Sequence, residues 1–174
     1  AWAARGQAPI RVGMGVNTGQ VTAGNIGSPK RMDYTVIGDG VNLCSRLENA
    51  NKEYRTRIII GENTHAKVAG RVIARELDLL VAAGKTEPIR VYELVGIVGE
   101  TKEPPRLGEF LSLYGEGLRL YRNREWTAAI GKFGRALRVT PDDYPASMYI
   151  ARAESFRGNP PPPGWRGEFV MLKK

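Results

Sequence analysis

Asn42 and Arg46 stand four positions apart in the stretch Arg31-Met-Asp-Tyr-Thr-Val-Ile-Gly-Asp-Gly-Val-Asn-Leu-Cys-Ser-Arg-Leu-Glu48. On a helix that spacing puts both side chains on one face. Leu43, Leu47, Ala50 and Tyr54 form a neighbouring apolar stripe at helical spacing, able to pack on a sheet. The polar stripe of Asn42, Arg46, Asn49 and Glu53 then lies at the edge of a buried surface. A guanidinium fixed there suits binding of a phosphate oxygen. Standing alone, a polar pair on a helix edge is usually solvated surface, so the neighbouring elements decide its meaning.

Those elements read as a mixed fold. Ile10, Val12, Met14 and Val16 alternate with Arg11, Gly13 and Gly15, the period of a strand whose glycine face is approached closely by another backbone or a ligand. Asn17-Thr-Gly19 turns the chain into a returning strand to about Gly24, and Asn25 to Pro29 turns it again towards a strand at Tyr34–Ile37. Asp39 is placed to cap the following helix, which is expected to reach about Lys52. A β-branched strand at Arg57–Ile60, a short helix from Glu62 to Ala69, and strands at 72–81 and 88–95 complete an α+β pattern, helices against one antiparallel-rich sheet. Neither phosphate-loop glycine motif is present.

After a proline-bearing linker the pattern becomes helical. Boundaries are expected at 1–100, 101–107 (linker), 108–156 (helical hairpin and third helix) and 157–174 (proline-rich spacer and tail). Gly117, Leu120, Ala129, Phe133, Ala136 and Pro141 resemble the small/large pattern of a tetratricopeptide repeat, with Leu113 where the early Trp usually stands. A single such unit makes no solenoid and reads as a packing module, with protein contact through the tail a further possibility.

Bulk properties narrow the function. Hydrophobic content of 42% and charged content of 25% are those of a soluble globular protein. The net charge of +8 is dispersed over Lys30/Arg31, Lys52/Arg55/Arg57, Arg119/Arg122/Arg124 and Lys173/Lys174. It lacks the basic, aromatic-interleaved runs of single-strand binders, which argues against a nucleic-acid partner. The single Cys44 forms no intrachain disulfide and reads as a small buried residue; lone His65 reads as helix surface, without metal-ligand spacing. No apolar run is long enough for a membrane span, so the chain reads as cytoplasmic, any membrane anchoring being left to upstream segments.

Taken in order, Gly15-Val-Asn-Thr-Gly-Gln-Val-Thr-Ala-Gly-Asn-Ile-Gly27, Asp33-Tyr-Thr-Val-Ile-Gly-Asp39, Val41-Asn-Leu-Cys-Ser-Arg-Leu-Glu48 and Gly84-Lys-Thr-Glu-Pro-Ile-Arg-Val-Tyr-Glu-Leu94 resemble the second half of the class III nucleotidyl cyclase catalytic domain, over about Pro9 to Val98. The helical tail is similar to an extension of some bacterial members. The resemblance implies an incomplete ferredoxin-like domain that pairs head to tail as a homodimer, with active sites between subunits. It implies conversion of ATP to cyclic AMP and pyrophosphate by attack of the ribose 3′-oxygen on the α-phosphorus. Thr35 would read the adenine edge, Val36 would contact the base through its backbone, Asn42 would orient the ribose, and Arg46 would stabilise charge on the α-phosphoryl group. Guanylate cyclase is the alternative within enzymes, and a non-catalytic cyclase-like regulatory module the alternative outside them.

Three departures from the family pattern shape the expectation. The opening half of the domain is missing, with the two aspartates that would hold two Mg2+ or Mn2+ ions and the base-reading lysine; Asp33 and Asp39 do not replace them. The triphosphate lysine of the family falls on Ala83, and Lys85 is the nearest substitute. The first strand is absent, so the sheet is expected to lack a central member and expose an edge. The chain is therefore expected to be a fragment, inactive by itself.

Overall fold

The computed structural model describes Gly6 and residues 12–81 and 87–170. The chain runs β1 (Met14–Val16), β2 (Thr22–Ser28), β3 (Arg31–Ile37), α1 (Asp39–Tyr54), β4 (Ile58–Gly61), α2 (Glu62–Val68), β5 (Val72–Val81), β6 (Pro88–Ile97), α3 (Leu107–Arg122), α4 (Trp126–Val139), α5 (Tyr144–Gly158) and β7 (Glu168–Val170). Five strands form one sheet in the order β1-β4-β6-β5-β7, while β2 and β3 form a separate hairpin. The β4–β6 and β5–β6 pairs are antiparallel; β1 runs parallel to β4 and β7 parallel to β5. This is the α+β mixture expected.

The ladder is continuous, because β1 pairs directly with β4 (Met14 opposite Ile58), and the three-residue β1 is left at the edge. Local boundaries moved where cross-strand bonding outweighed turn propensity. Asn25 to Ser28, a turn by composition, continues β2 because each residue pairs with one in Arg31 to Tyr34. Asp39 is the first residue of α1 and not its cap: Gly38 holds that position with φ of 141°, and no side chain caps it.

Two cores meet over the sheet. Leu47, Ala50 and Tyr54 of α1 pack with Ile59, Leu77, Leu80 and Val91, the stripe that the spacing implied. The second core lies among α3, α4 and α5, where the Gly117 backbone sits against the Phe133 ring and Tyr114, Tyr121 and Tyr149 fill the centre. Ile73 and Val95 of the sheet pack against that bundle, and Met148 of α5 touches both cores. The tail closes the arrangement: Trp165 docks among Tyr121, Trp126 and Phe156, and β7 extends the sheet beside β5. Short α2 meets β6 through His65, which stacks on Tyr92 with ring centroids 3.8 Å apart.

β5 contains a bulge. Glu76 pairs with Tyr92 and Asp78 with Val91, so Leu77 and Asp78 together face one residue. The extra residue breaks the period of two and turns both side chains inward; Leu77 and Asp78 are each fully buried. An ion pair network lies alongside, with Arg75 between Glu93 (2.6 Å) and Asp143 (2.7 Å).

Candidate functional site

β3 delivers Thr35 and Val36, opposite Gly24 and Ala23 of β2, and both are exposed. The hairpin has an outward face with little cover: Met32, Tyr34 and Val36 are exposed, Tyr34 to 76%. The single residue Gly38 separates β3 from α1, and its carbonyl accepts from the Val41 and Asn42 amides, each at 3.1 Å. Its positive φ is open to glycine and costly for other residues. The turn thus sets Asn42 in the opening turn of α1, exposed, with half-buried Arg46 one turn further on.

The helix bearing that pair is held by contacts that its polar stripe did not disclose. Asn51 is buried, and its amide nitrogen lies within 3.0 Å of the Met14 carbonyl and 3.1 Å of the Leu47 and Glu48 carbonyls. Thr56 donates its hydroxyl to the Asn51 side-chain oxygen at 3.0 Å. This asparagine therefore fastens α1 to β1. Its sequence signal was its position: it stands four residues after Leu47 and three before Tyr54, on the buried side.

β1 reaches α1 this closely because of Gly15. A Cβ there would collide with the Cys44 carbonyl oxygen and come within 2.5 Å of the Glu48 amide nitrogen. The glycine face of the first strand is thus where another backbone approaches, as its alternation implied; Cys44 itself is half-buried rather than buried. Gly15→Val is expected to push α1 off β1 at a cost of about 1–3 kcal/mol, read as a lower urea midpoint. A midpoint equal to wild type would show that α1 accommodates the side chain elsewhere.

The loop after β1 joins the same neighbourhood. Asn17 donates its side-chain amide to the Gly40 carbonyl at 3.4 Å, and the Thr18 and Thr64 hydroxyls lie 3.0 Å apart. The loop, the start of α1 and the start of α2 are therefore tied together around the entry to α1. An anion near the first turn of α1 would gain from the helix dipole and from the Arg46 charge. Lys85, the other proposed phosphate contact, lies outside the described residues. Among the described residues no three His, Cys, Asp or Glu side chains gather into a metal-binding cluster.

Comparison with known proteins places these features in a family. The model of the adenylate and guanylate cyclase catalytic domain matches residues 2–92. The chain is 32% identical over 146 residues to the terminal-differentiation specific adenylate cyclase of Dictyostelium discoideum, spanning 82% of this chain and 7% of that protein. It is 36% identical over 95 residues to adenylate cyclase 1 of Rhizobium meliloti, spanning 55% of this chain and 14% of that one. Among solved structures it is similar to the adenylyl cyclase CyaB from P. aeruginosa, at 34% identity and a TM-score of 0.50, over 58% of this chain and 51% of that one. The chain thus spans only a small part of these curated relatives.

Proposed function

The chain belongs to the adenylate and guanylate cyclase catalytic-domain family, and on that premise we propose that it forms the substrate-gripping half of an adenylate cyclase site. The observation that carries this reading is the pairing of exposed Thr35 on β3 with Asn42 and Arg46 one turn apart on α1, joined through Gly38. In this reading the Thr35 hydroxyl meets the adenine edge and the Val36 backbone lies along the base. Asn42 orients the ribose so that its 3′-oxygen faces the α-phosphorus. Arg46 stabilises the negative charge that builds on the α-phosphoryl oxygens as the new bond forms and pyrophosphate leaves. Lys85 is the chain's candidate for the departing phosphates.

A second subunit completes the site. Met14 and Val16 on β1, Val21, and Met32, Tyr34, Val36 and Ile37 on β3 are all exposed apolar residues. Four of them, Met32, Tyr34, Val36 and Ile37, lie on the strand that carries Thr35, which suits burial against another cyclase domain, a homodimer with its sites at the interface. The divalent ions that the family uses supply charge neutralisation when bound. Their ligands are assigned to residues other than those described here, and the chain's own contribution is to bind and orient the nucleotide. No described helix is long and apolar enough to cross a membrane, and a substrate of this kind fits a cytoplasmic setting.

The test is complementation. Alone, with ATP and manganese, the 174-residue chain is expected to make no cyclic nucleotide. Mixed with a polypeptide carrying the first half of a class III catalytic domain, it is expected to make cyclic AMP at least about tenfold faster than cyclic GMP, the scale on which a few base contacts discriminate. Turnover by the chain alone would sink the half-site reading. A preference for GTP in the complemented enzyme would reassign it as a guanylate cyclase.

A further inference from the structure

The geometry points to Asp78 as a positioning residue through which the C-terminal helices hold α1, and with it Asn42 and Arg46, in register; the inference rests on the site reading above. Two helices converge on this one carboxylate, which its own strand also holds. Oδ2 accepts from the Tyr54 hydroxyl of α1 at 2.8 Å and from Nη1 of Arg152 of α5 at 2.7 Å, while Oδ1 accepts from the Leu79 amide at 2.8 Å. Asp78 is fully buried, and it reaches this position only because the bulge in β5 turns it inward beside Leu77.

The surroundings extend the connection to the tail. The Arg152 guanidinium lies 4.1 Å over the Phe169 ring of β7, and the Tyr149 hydroxyl of α5 donates to the Leu77 carbonyl at 2.6 Å. Burial above all, and then the Asp78 charge, push the Tyr54 phenol far above its ordinary value, so it remains a donor at every working pH. An apolar pair could fasten α1 to the sheet as firmly, since buried charges are costly to desolvate. What the polar triad adds is direction: each donor fixes the angle of its own helix around a single acceptor. Along α1, Tyr54 stands two turns from Arg46, about 12 Å by helical rise. A change of helix angle at Tyr54 is therefore carried to the site.

Tyr54→Phe removes one hydroxyl and keeps the ring, and Arg152→Gln removes the cation from the far side. In the 174-residue chain, Arg152→Gln is expected to speed amide hydrogen exchange at residues 43–47 by about tenfold, within the usual range of coupling between sites. Faster exchange confined to α5, with α1 unchanged, would overturn the proposal. In the complemented enzyme, each variant is expected to lower kcat about tenfold at constant KM, and the pair together no further. Arg152→Lys should recover part of the loss. A kcat per folded molecule equal to wild type, with only the melting temperature lowered, would assign Asp78 to stability alone and overturn the proposal. Arg46→Ala keeps the two readings apart: if that variant retains turnover the site reading fails, while the exchange measurement still decides the coupling.

Discussion

Arg46→Ala is expected to lower kcat of the complemented cyclase by a hundredfold to a thousandfold, with KM for ATP changed by less than about threefold. The size is that of losing one preorganised charge at a developing oxyanion, about 3–4 kcal/mol. The split follows from timing. The α-phosphoryl oxygens gain charge as the 3′-oxygen attacks, so a cation placed there acts more strongly on the transition state than on bound ATP. α1 suits that task because its pose is fixed from several sides: by Asn51 to the Met14 carbonyl, by the close approach at Gly15, and by its apolar stripe on the sheet. Arg46→Lys should recover only part of the rate, since an ammonium lacks the planar fork. A variant with raised KM and unchanged kcat would place Arg46 in ground-state binding and remove it from catalysis.

Arg75→Met is expected to cost about 3–5 kcal/mol of folding stability, the typical effect of deleting one partner of a buried ion pair, measured by urea unfolding at neutral pH. The guanidinium is only 7% exposed and bridges Glu93 and Asp143, with the Tyr114 and Phe110 rings at 4.6 and 5.1 Å. Asp143 has a second duty, accepting from the Ala146 amide at the start of α5. Removing the cation leaves the buried Asp143 and half-buried Glu93 carboxylates without their shared partner. Burial already holds the Glu93 carboxyl above its ordinary value, with Arg75 pulling the other way. Without Arg75 it rises further. A raised folded value means that the stabilising contribution is present at low pH and lost as pH climbs through that value. The penalty of Arg75→Met should accordingly shrink towards acid pH. A loss below about 1 kcal/mol, or one that grows on acidification, would refute this account.

What was legible in the sequence followed from regular spacing. Leu43, Leu47, Ala50 and Tyr54 recur at helical intervals, and α1 buries the last three while Leu43 packs against the same core. The alternation through Met14 and Val16 marked β1, and its glycine side is where α1 comes closest. Features that depend on tertiary partners were hidden. Nothing in the strand expected over 72–81 marked Asp78, because a bulge declares itself only when the register of two strands is compared. Asn25 to Ser28 carried turn residues, yet pairing across the hairpin outweighed their local preference. Asn51 was not singled out in the sequence, because its contact with Met14 spans 37 positions and has no local signature. For the site, the residue types of Asn42 and Arg46 suggested phosphate chemistry. Their assignment to a cyclase came from the order of neighbouring motifs, which no single helix contains.

The pairing of Leu79 with Glu168 also bears on how the chain acquires its fold during synthesis. β5 leaves the ribosome with only β6 soon to follow, and its other flank stays open until β7 has been made. For that interval Leu79, Leu80 and Val81 present unpaired amides and carbonyls on that flank, the kind of surface that recruits stray strands. The packing of α3 to α5 on Ile73 and Val95 covers part of one face of the sheet and leaves this rim to β7. Removing β7 would leave that rim open in the folded chain as well.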